Sequence, residues 1–195
     1  MISYPDALAT LHNLASPLRP VIINVRYAAG RVSAAAAYGA HPVPPFDNSA
    51  MDGFALRSSD TASATANAPT ELAVTDLLTA GENGTQLSVT AGRSCEIMTG
   101  APIPAGADTV VPLEQVELRR DADGKPTAIL LRAPASTDNN LRRSGEDFAN
   151  AAQLFAPGKQ LSPADVMGLA ATGVNEISVY PAPRIAAITT GNELS

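Results

Sequence analysis

A proline-stiffened acidic stretch holds the residues of this chain best suited to chemistry. Residues 44–53 read Pro-Pro-Phe-Asp-Asn-Ser-Ala-Met-Asp-Gly. The two prolines restrict the backbone and exclude helix, and the Asp-Asn-Ser sequence favours a turn. Asp52 then stands beside Gly53, where another backbone or a ligand can approach closely. A carboxylate on such a stiff loop is what a site for a cation or a polar ligand needs.

Three further segments combine glycine with hydroxyl, acidic or basic side chains. We call 47–53 the first segment; the second, 97–108, contains Thr-Gly-Ala-Pro, and the third, 140–147, reads Asn-Leu-Arg-Arg-Ser-Gly-Glu-Asp. The fourth segment, 189–194, reads Thr-Thr-Gly-Asn-Glu-Leu. Taken singly, each is equally compatible with a turn, a strand end or a solvated face. A functional interpretation therefore depends on the four segments together.

Composition restricts the classes of function. The chain has 195 residues, 45% of them hydrophobic and 16% charged, which is typical of one large or two small globular domains. A net charge of −6 without a long basic run argues against nucleic-acid or membrane-surface binding. The single cysteine and two distant histidines provide neither an internal disulfide nor a zinc spacing. With no apolar run near the roughly 18–20 residues of a membrane span, we expect a cytoplasmic protein.

Helix signals lie near both ends of the chain. A serine and an early proline precede an apolar stripe over 5–14, and Ser162, Pro163 and Gly173 delimit a second helix over 163–172. Residues 21–25 predict a short buried strand, and 184–189 predict a buried parallel strand.

The middle of the chain predicts a small antiparallel sandwich or barrel. A hairpin turn is expected at 121–124, and a mobile loop at 58–70. The predicted short strands cover 72–77, 86–90, 95–98, 109–113, 116–119 and 127–132.

These elements together predict a mixed α/β (α+β) fold. A discontinuous, elongated helical domain is expected over 1–46 and 148–182, with an all-β sandwich or barrel-like module inserted over 47–147. Residues 183–195 are expected to begin a third domain that is truncated at its first strand.

The four segments, in this order, resemble the signature of the MoeA family, the molybdenum-inserting enzymes of molybdopterin cofactor biosynthesis. The E domain of gephyrin is a member of the same family. Residues 46–53 carry most of the resemblance, and Met-Thr-Gly-Ala-Pro at 98–102 and Gly-Glu-Asp at 145–147 support it independently. The resemblance covers essentially the whole chain but only the front half of the family's architecture.

The resemblance implies an enzyme that takes adenylylated molybdopterin and molybdate. Such an enzyme places molybdenum on the dithiolene sulfurs and releases AMP, assisted by Mg²⁺. It also implies a homodimer, whose site lies between the β module of one subunit and a nucleotide-fold domain of the other. The chain on its own is expected to fold and dimerise without inserting molybdenum.

By motif position, the resemblance assigns catalytic roles to one hydroxyl and three carboxylates, and the carboxylates are also the expected Mg²⁺ ligands. These residues are Thr99, Asp52, Asp147 and Glu193. Contacts to the molybdopterin substrate are expected from Ser49, Gly100, Arg142 and Arg143. Asn192 departs from the family's usual aspartate, and Phe148 replaces a common aliphatic residue and is interpreted as packing.

Simple electrostatics agrees with a cation in such a site. Two carboxylates about 5 Å apart repel by roughly 3 kcal/mol at an effective dielectric constant near 20. An anionic substrate increases this repulsion unless a hard cation lies between the charges, and Mg²⁺ prefers carboxylate and phosphate oxygens. Arg142 and Arg143 offer charge-assisted hydrogen bonds to an oxyanion, and Gly100 allows its backbone N–H to approach a ligand.

Two other classes of function remain open at this point. One is a non-catalytic scaffold that acts in dimerisation or partner binding. The other is a Mg²⁺-dependent phosphoester hydrolase using Asp52 and Asp147, which would need a general base nearby.

Overall fold

The computed structural model describes residues 2–82 and 87–186. They form two compact units: the terminal unit, made of the described residues of Met1–His41 and Asn150–Ser195, and the central unit, Pro42–Ala149. The structure thus divides the chain a few residues outside the boundaries expected at 46/47 and 147/148. The predicted mixed α/β fold is confirmed, since α-helices lie in the terminal unit and a six-stranded sheet lies in the central unit.

The helices are α1 (Tyr4–Leu14) and α2 (Pro163–Ala171). In chain order the strands are β1 Val21–Asn24, β2 Val32–Ser33, β3 Ala37–Tyr38, β4 Asn48–Ser49, β5 Gly53–Leu56, β6 Thr70–Leu78, β7 Arg93–Ile97, β8 Thr109–Pro112, β9 Glu117–Arg120, β10 Pro126–Leu131, β11 Leu141–Arg142, β12 Gln153–Phe155 and β13 Glu176–Tyr180.

Local capping explains where the two predicted helices begin, and both helices are confirmed. Ser162 Oγ accepts a hydrogen bond from the Asp165 backbone N–H, while the Asp165 carboxylate accepts one from Ser162 N, a reciprocal capping box. Gly173 follows α2 with φ of 81°, a left-handed conformation that ends the helix. At α1, Ser3 Oγ accepts from Asp6 N at 3.3 Å.

The terminal unit packs α2 against small antiparallel sheets. Strand β13 lies between β1 and β2, and β12 pairs with β3. Its buried cluster draws on both chain segments and contains Val25, Ala28, Ala37, Phe155, Leu161, Leu169, Ile177 and Val179.

The central unit is built on a sheet with strand order β8-β5-β7-β6-β10-β9. All neighbours are antiparallel except β6 and β7. Val111 of β8 and Leu131 of β10 belong to one buried cluster although three strands separate β8 from β10, so the sheet is curled. Phe54 joins this cluster, whereas its neighbour Ala55 joins a second cluster on the opposite face.

The predicted hairpin turn at 121–124 is confirmed between β9 and β10. Asp121 Oδ1 accepts hydrogen bonds from the backbone N–H groups of Asp123 and Lys125, and Gly124 adopts φ of 81°. These contacts are local, which is why the sequence was sufficient to predict the turn.

Two strand predictions need correction. Residues 21–24 form β1, but β1 is an edge strand and Ile22 is 71% exposed, so this strand is not buried. In the predicted strand 86–90, the described residues 87–90 form only one bridge, from Ser88 to Ala105, and residue 86 lies outside the described residues.

The loop at 58–70 and the last predicted strand also differ from expectation. Thr61 is buried, and its Oγ1 donates to Ser58 O and accepts from Ala135 N, so the 58–70 segment is anchored instead of loose. Residues 184–186 have no regular secondary structure, and 187–189 lie outside the described residues. Within the described parts of the chain, no helix has both the length and the apolarity needed to cross a membrane.

Candidate functional site

Three of the four sequence segments meet in the central unit around the short strand β4. Strand β4 pairs with β11 of the third segment, which places Arg142 opposite Asn48. Asn48 also forms a bridge with Pro102 of the second segment, and Ile103 N donates to Asp47 O at 3.0 Å. The first segment therefore lies between the second and the third.

Gly53 is required by the backbone of a neighbouring strand. A Cβ atom at this position would lie 2.2 Å from the carbonyl oxygen of Val111 in β8. The close approach expected beside Asp52 is thus made by a strand and not by a ligand. Leu113 N also donates to Asp52 O at 3.2 Å, so backbone contacts hold Asp52 at the start of β5.

Asp52 and Thr99, 47 residues apart in sequence, form a direct pair. Thr99 donates to Asp52 Oδ1 from both its backbone N and its Oγ1, each at 2.7 Å. These bonds, that of the hydroxyl first and that of the amide second, lower the pKa of the Asp52 carboxyl and favour its charged form. Asp52 Oδ2 accepts no hydrogen bond from any described residue. The pair therefore leaves one oxygen of a charged carboxylate open.

Ser49 and Gly100 support the turn beneath this pair. Ser49 is fully buried, and its Oγ donates to Met51 O at 2.5 Å. Gly100 has φ of 81°, and its N–H donates to Ser49 O at 2.8 Å. The N–H of Gly100 is therefore not available to a ligand, contrary to the expectation from sequence. Burial likewise keeps the Ser49 hydroxyl away from solvent.

Arg142 is held by two carboxylates of its own segment. Its Nε contacts Glu146 Oε1 at 2.5 Å, and its Nη2 contacts Asp147 Oδ2 at 2.7 Å. These hydrogen bonds, first that of Glu146, raise the pKa of the Arg142 guanidinium. An incoming oxyanion would therefore compete with two carboxylates for Arg142. All three side chains are exposed enough for such an exchange.

Arg143 connects the third segment to the first. It forms ion pairs with Asp47, through Nη1 at 2.5 Å, and with Asp138 through Nη2. Asp47 Oδ1 also accepts from Ser144 N at 2.8 Å, and this backbone bond, followed by that of Arg143, lowers the pKa of Asp47. The two arginines predicted to bind an oxyanion thus each bridge two acids in this structure.

Asn140 is a structural residue of the site to which the sequence assigned no role. It adopts φ of 56°, its side-chain Nδ2 donates to Val110 O at 2.8 Å, and its backbone carbonyl oxygen accepts from Ala50 N at 2.9 Å. Asparagine tolerates the left-handed conformation better than most residues, and this preference was the feature of the sequence that could have indicated a turn at Asn140. The contact partners of Asn140 lie too far away in sequence for that signal to identify them.

The expected metal ligands are only partly described. No three Asp, Glu, His or Cys side chains within residues 2–82 and 87–186 lie close enough to hold a metal ion, and Glu193, like the whole fourth segment, falls outside those ranges. Asp52 and Asp147 have different hydrogen-bond partners.

The donor chemistry nevertheless fits Mg²⁺. Asp52 Oδ2 and Asp147 Oδ1 each lack a hydrogen bond to the described residues. In proteins Mg²⁺ is commonly held by one or two carboxylates, with waters and phosphate oxygens completing its shell.

Comparison with known proteins identifies relatives of this chain. The family described as MoeA N-terminal region (domain I and II) matches residues 2–173. Molybdopterin molybdenumtransferase of Synechococcus elongatus is 40% identical over 152 residues, which cover 78% of this chain and 36% of that protein. Molybdopterin molybdenumtransferase 2 of Mycobacterium tuberculosis is 39% identical over 180 residues, covering 91% of this chain and 42% of that protein.

A solved structure agrees with these relatives. The molybdopterin biosynthesis MoeA protein of Pyrococcus horikoshii superposes with a TM-score of 0.80 at 28% identity, covering 94% of this chain and 45% of that one. The chain spans less than half the length of the curated relatives it matches.

Proposed function

The chain belongs to the MoeA family, and on that premise we propose that it is part of an enzyme that inserts molybdenum from molybdate into adenylylated molybdopterin and releases AMP. The observation that carries this proposal is the meeting of three segments in the central unit. Strand β4 of the first segment pairs with Arg142 of the third segment and bridges to Pro102 of the second, and Asp52 of the first segment bonds Thr99 of the second. The names of the relatives do not favour the alternative of a non-catalytic scaffold.

Asp52 and Thr99 act as a unit in this proposal. Thr99 occupies one oxygen of Asp52 and keeps the carboxylate charged, so the other oxygen is free to contact a cation or a water molecule. Asp147 supplies a second carboxylate, and we propose Glu193 of the fourth segment as a third. Bound Mg²⁺ would offset the repulsion between these acids and the anionic substrates.

The basic and small residues have less direct roles. Arg142 reaches a substrate oxyanion only by exchanging one of its carboxylate partners, which is feasible because the pair with Asp147 is exposed. Ser49 and Gly100 hold the turn that presents Asp52 and Thr99. They are proposed to affect the substrate through this geometry.

The active enzyme is proposed to be a homodimer that includes more than these residues. This chain spans less than half the length of the relatives it matches. We propose that the remaining part of the site lies on a nucleotide-fold domain of the partner subunit, as the family resemblance implies. The 195 residues alone are therefore expected to fold and to lack insertion activity.

The Asp52→Asn variant tests the site in the protein expressed from its complete reading frame. Asn keeps an oxygen that accepts both Thr99 bonds, so the turn and the melting temperature should change little. Loss of the charge should lower the rate of molybdenum insertion at least ~10-fold, about 1.4 kcal/mol of transition-state stabilisation. The measurements are insertion rate and melting temperature on the same preparation.

Asp121→Asn is the matched control. Asp121 also accepts two backbone bonds on one oxygen, but it lies in the β9–β10 hairpin. This variant should keep the parent insertion rate to within about twofold. A normal insertion rate in a stable Asp52→Asn protein would contradict the proposed role of Asp52.

A further inference from the structure

We propose that Asp47 is a positioning residue that holds the 143–147 turn, and with it Asp147, against the first segment. The inference rests on the proposed function, in which Asp147 belongs to the site. Asp47 itself has one oxygen on Ser144 N and the other on Arg143. It is therefore assigned no contact with substrate.

The backbone around Asp47 explains why a side chain is needed there. Residues 43–45 accept hydrogen bonds from the turn: Asp147 N donates to Val43 O, Gly145 N to Pro44 O, and Ser144 Oγ to Pro45 O. Pro44 and Pro45 lack a backbone N–H group and therefore cannot donate hydrogen bonds back to the turn. Past these prolines the backbone pairing of the two stretches is interrupted until Asn48 meets Arg142 in the β4–β11 pair.

The Asp47 carboxylate bridges this interruption. Its Oδ1 accepts from Ser144 N at 2.8 Å, and its Oδ2 pairs with Arg143 at 2.5 Å. Its carbonyl oxygen accepts from Ile103 N of the second segment at 3.0 Å. One residue thus contacts both neighbouring segments, 56 positions ahead at Ile103 (103 − 47) and 97 ahead at Ser144.

The two contacts of the carboxylate differ in importance. The pair with Arg143 is half exposed, and such pairs contribute little in water. The bond to Ser144 N satisfies a backbone donor three residues before Asp147, and it fixes the turn directly. Asp47→Asn keeps an acceptor for Ser144 N, whereas Asp47→Ala removes it. The hydrogen bond, and not the charge, is therefore the feature to test.

The experiment compares these variants in the protein expressed from its complete reading frame. Asp47→Ala should lower kcat about tenfold and leave the KM for adenylylated molybdopterin within about twofold, since displaced catalytic groups affect the chemical step more than binding. Amide hydrogen exchange over 143–147 should be faster by about tenfold in Asp47→Ala. Asp47→Asn should restore both values to within about threefold of the parent protein.

Asp138→Asn is the matched control. It removes the other carboxylate from Arg143 without touching Ser144, and asparagine suits the left-handed φ of 64° at this position. This variant should keep the parent kcat and exchange rates.

Three results would overturn the inference: parent-like kcat and exchange in Asp47→Ala, an Asp47→Asn as defective as Asp47→Ala, or an equal defect in Asp138→Asn. Failure of the proposed function gives a different pattern, in which the parent protein itself inserts no molybdenum. In that case the exchange of 143–147 still decides whether Asp47 holds the turn.

Discussion

The two helices of the terminal unit begin with nearly the same local sequence and differ completely in burial. Each has a serine N-cap, a proline in the first turn and an aspartate three residues after the cap. No residue of α1 is buried against the described residues, whereas Leu169 of α2 is fully buried in the core of the unit. Capping signals therefore determine where a helix starts, and the tertiary surroundings determine what its apolar face contacts.

Helix α1 carries an exposed apolar face. Tyr4, Leu8, Leu11 and Leu14 lie on one side of the helix and are 40–79% exposed. A contiguous apolar stripe of this kind is typical of a surface that another chain covers. It supports the proposed homodimer, in which α1 would lie at the subunit contact.

The largest expected effect contrasts a leucine from each helix. Leu169→Ala should lower the free energy of unfolding by about 3 kcal/mol, because it leaves a cavity in a closed core. Leu11→Ala should change it by less than about 0.5 kcal/mol at concentrations where the protein is monomeric. Chemical denaturation of both variants measures the difference.

Met167→Ala is the control within α2, since Met167 is 69% exposed on the same helix. It should behave like Leu11→Ala. Equal destabilisation by Leu169→Ala and Leu11→Ala would show instead that the two helices are packed alike.

A smaller effect is expected on self-association. Leu11→Glu places a charge in the α1 stripe without lowering helix propensity, and it should weaken dimerisation at least ~10-fold, about 1.4 kcal/mol. Asn13→Glu adds the same charge outside the stripe and should leave dimerisation unchanged. Sedimentation equilibrium is the measurement, and a parent protein that stays monomeric at high micromolar concentration would refute the predicted dimer.

The smallest expected effect is a pH dependence of α2. The hydrogen bond from Lys159 Nζ, followed by those from Ser162, lowers the pKa of Asp165 from 3.8 to about 2. Because the folded pKa is the lower one, this stabilisation is complete above pH 3.8 and is lost as the pH falls towards about 2. The difference in unfolding free energy between the parent and Asp165→Asn should therefore shrink by about 1 kcal/mol over this interval.

Urea denaturation at a series of pH values measures that difference. Ser162→Ala removes the N-cap hydroxyl that accepts from Asp165 N. This variant should lower the free energy of unfolding by a similar amount, about 1 kcal/mol, at neutral pH. A difference between parent and Asp165→Asn that stays constant from pH 5 to pH 2 would contradict the assignment of this pKa.

In the candidate site, too, the sequence identified individual residues, whereas their contacts join residues far apart in the chain. The sequence identified Asp52 and Thr99 through family resemblance, but the two hydrogen bonds between them join residues 47 positions apart. The sequence suggested that the Gly100 N–H faces a ligand. In the fold this N–H instead donates to the backbone carbonyl oxygen of Ser49. The sequence predicted that Arg143 bonds an oxyanion, whereas in the fold its guanidinium pairs with Asp47, 96 positions away.

Local sequence patterns were enough to predict the helix starts at Ser3 and Ser162 and the hairpin at 121–124. Each of these depends on hydrogen bonds between residues at most four positions apart, so the types of a few neighbours suffice. Long-range packing, by contrast, leaves α1 exposed, puts β1 at a sheet edge and brings three segments together at β4. These three features depend on which distant segments of the chain pack against each element, and a local sequence pattern holds no information on long-range packing.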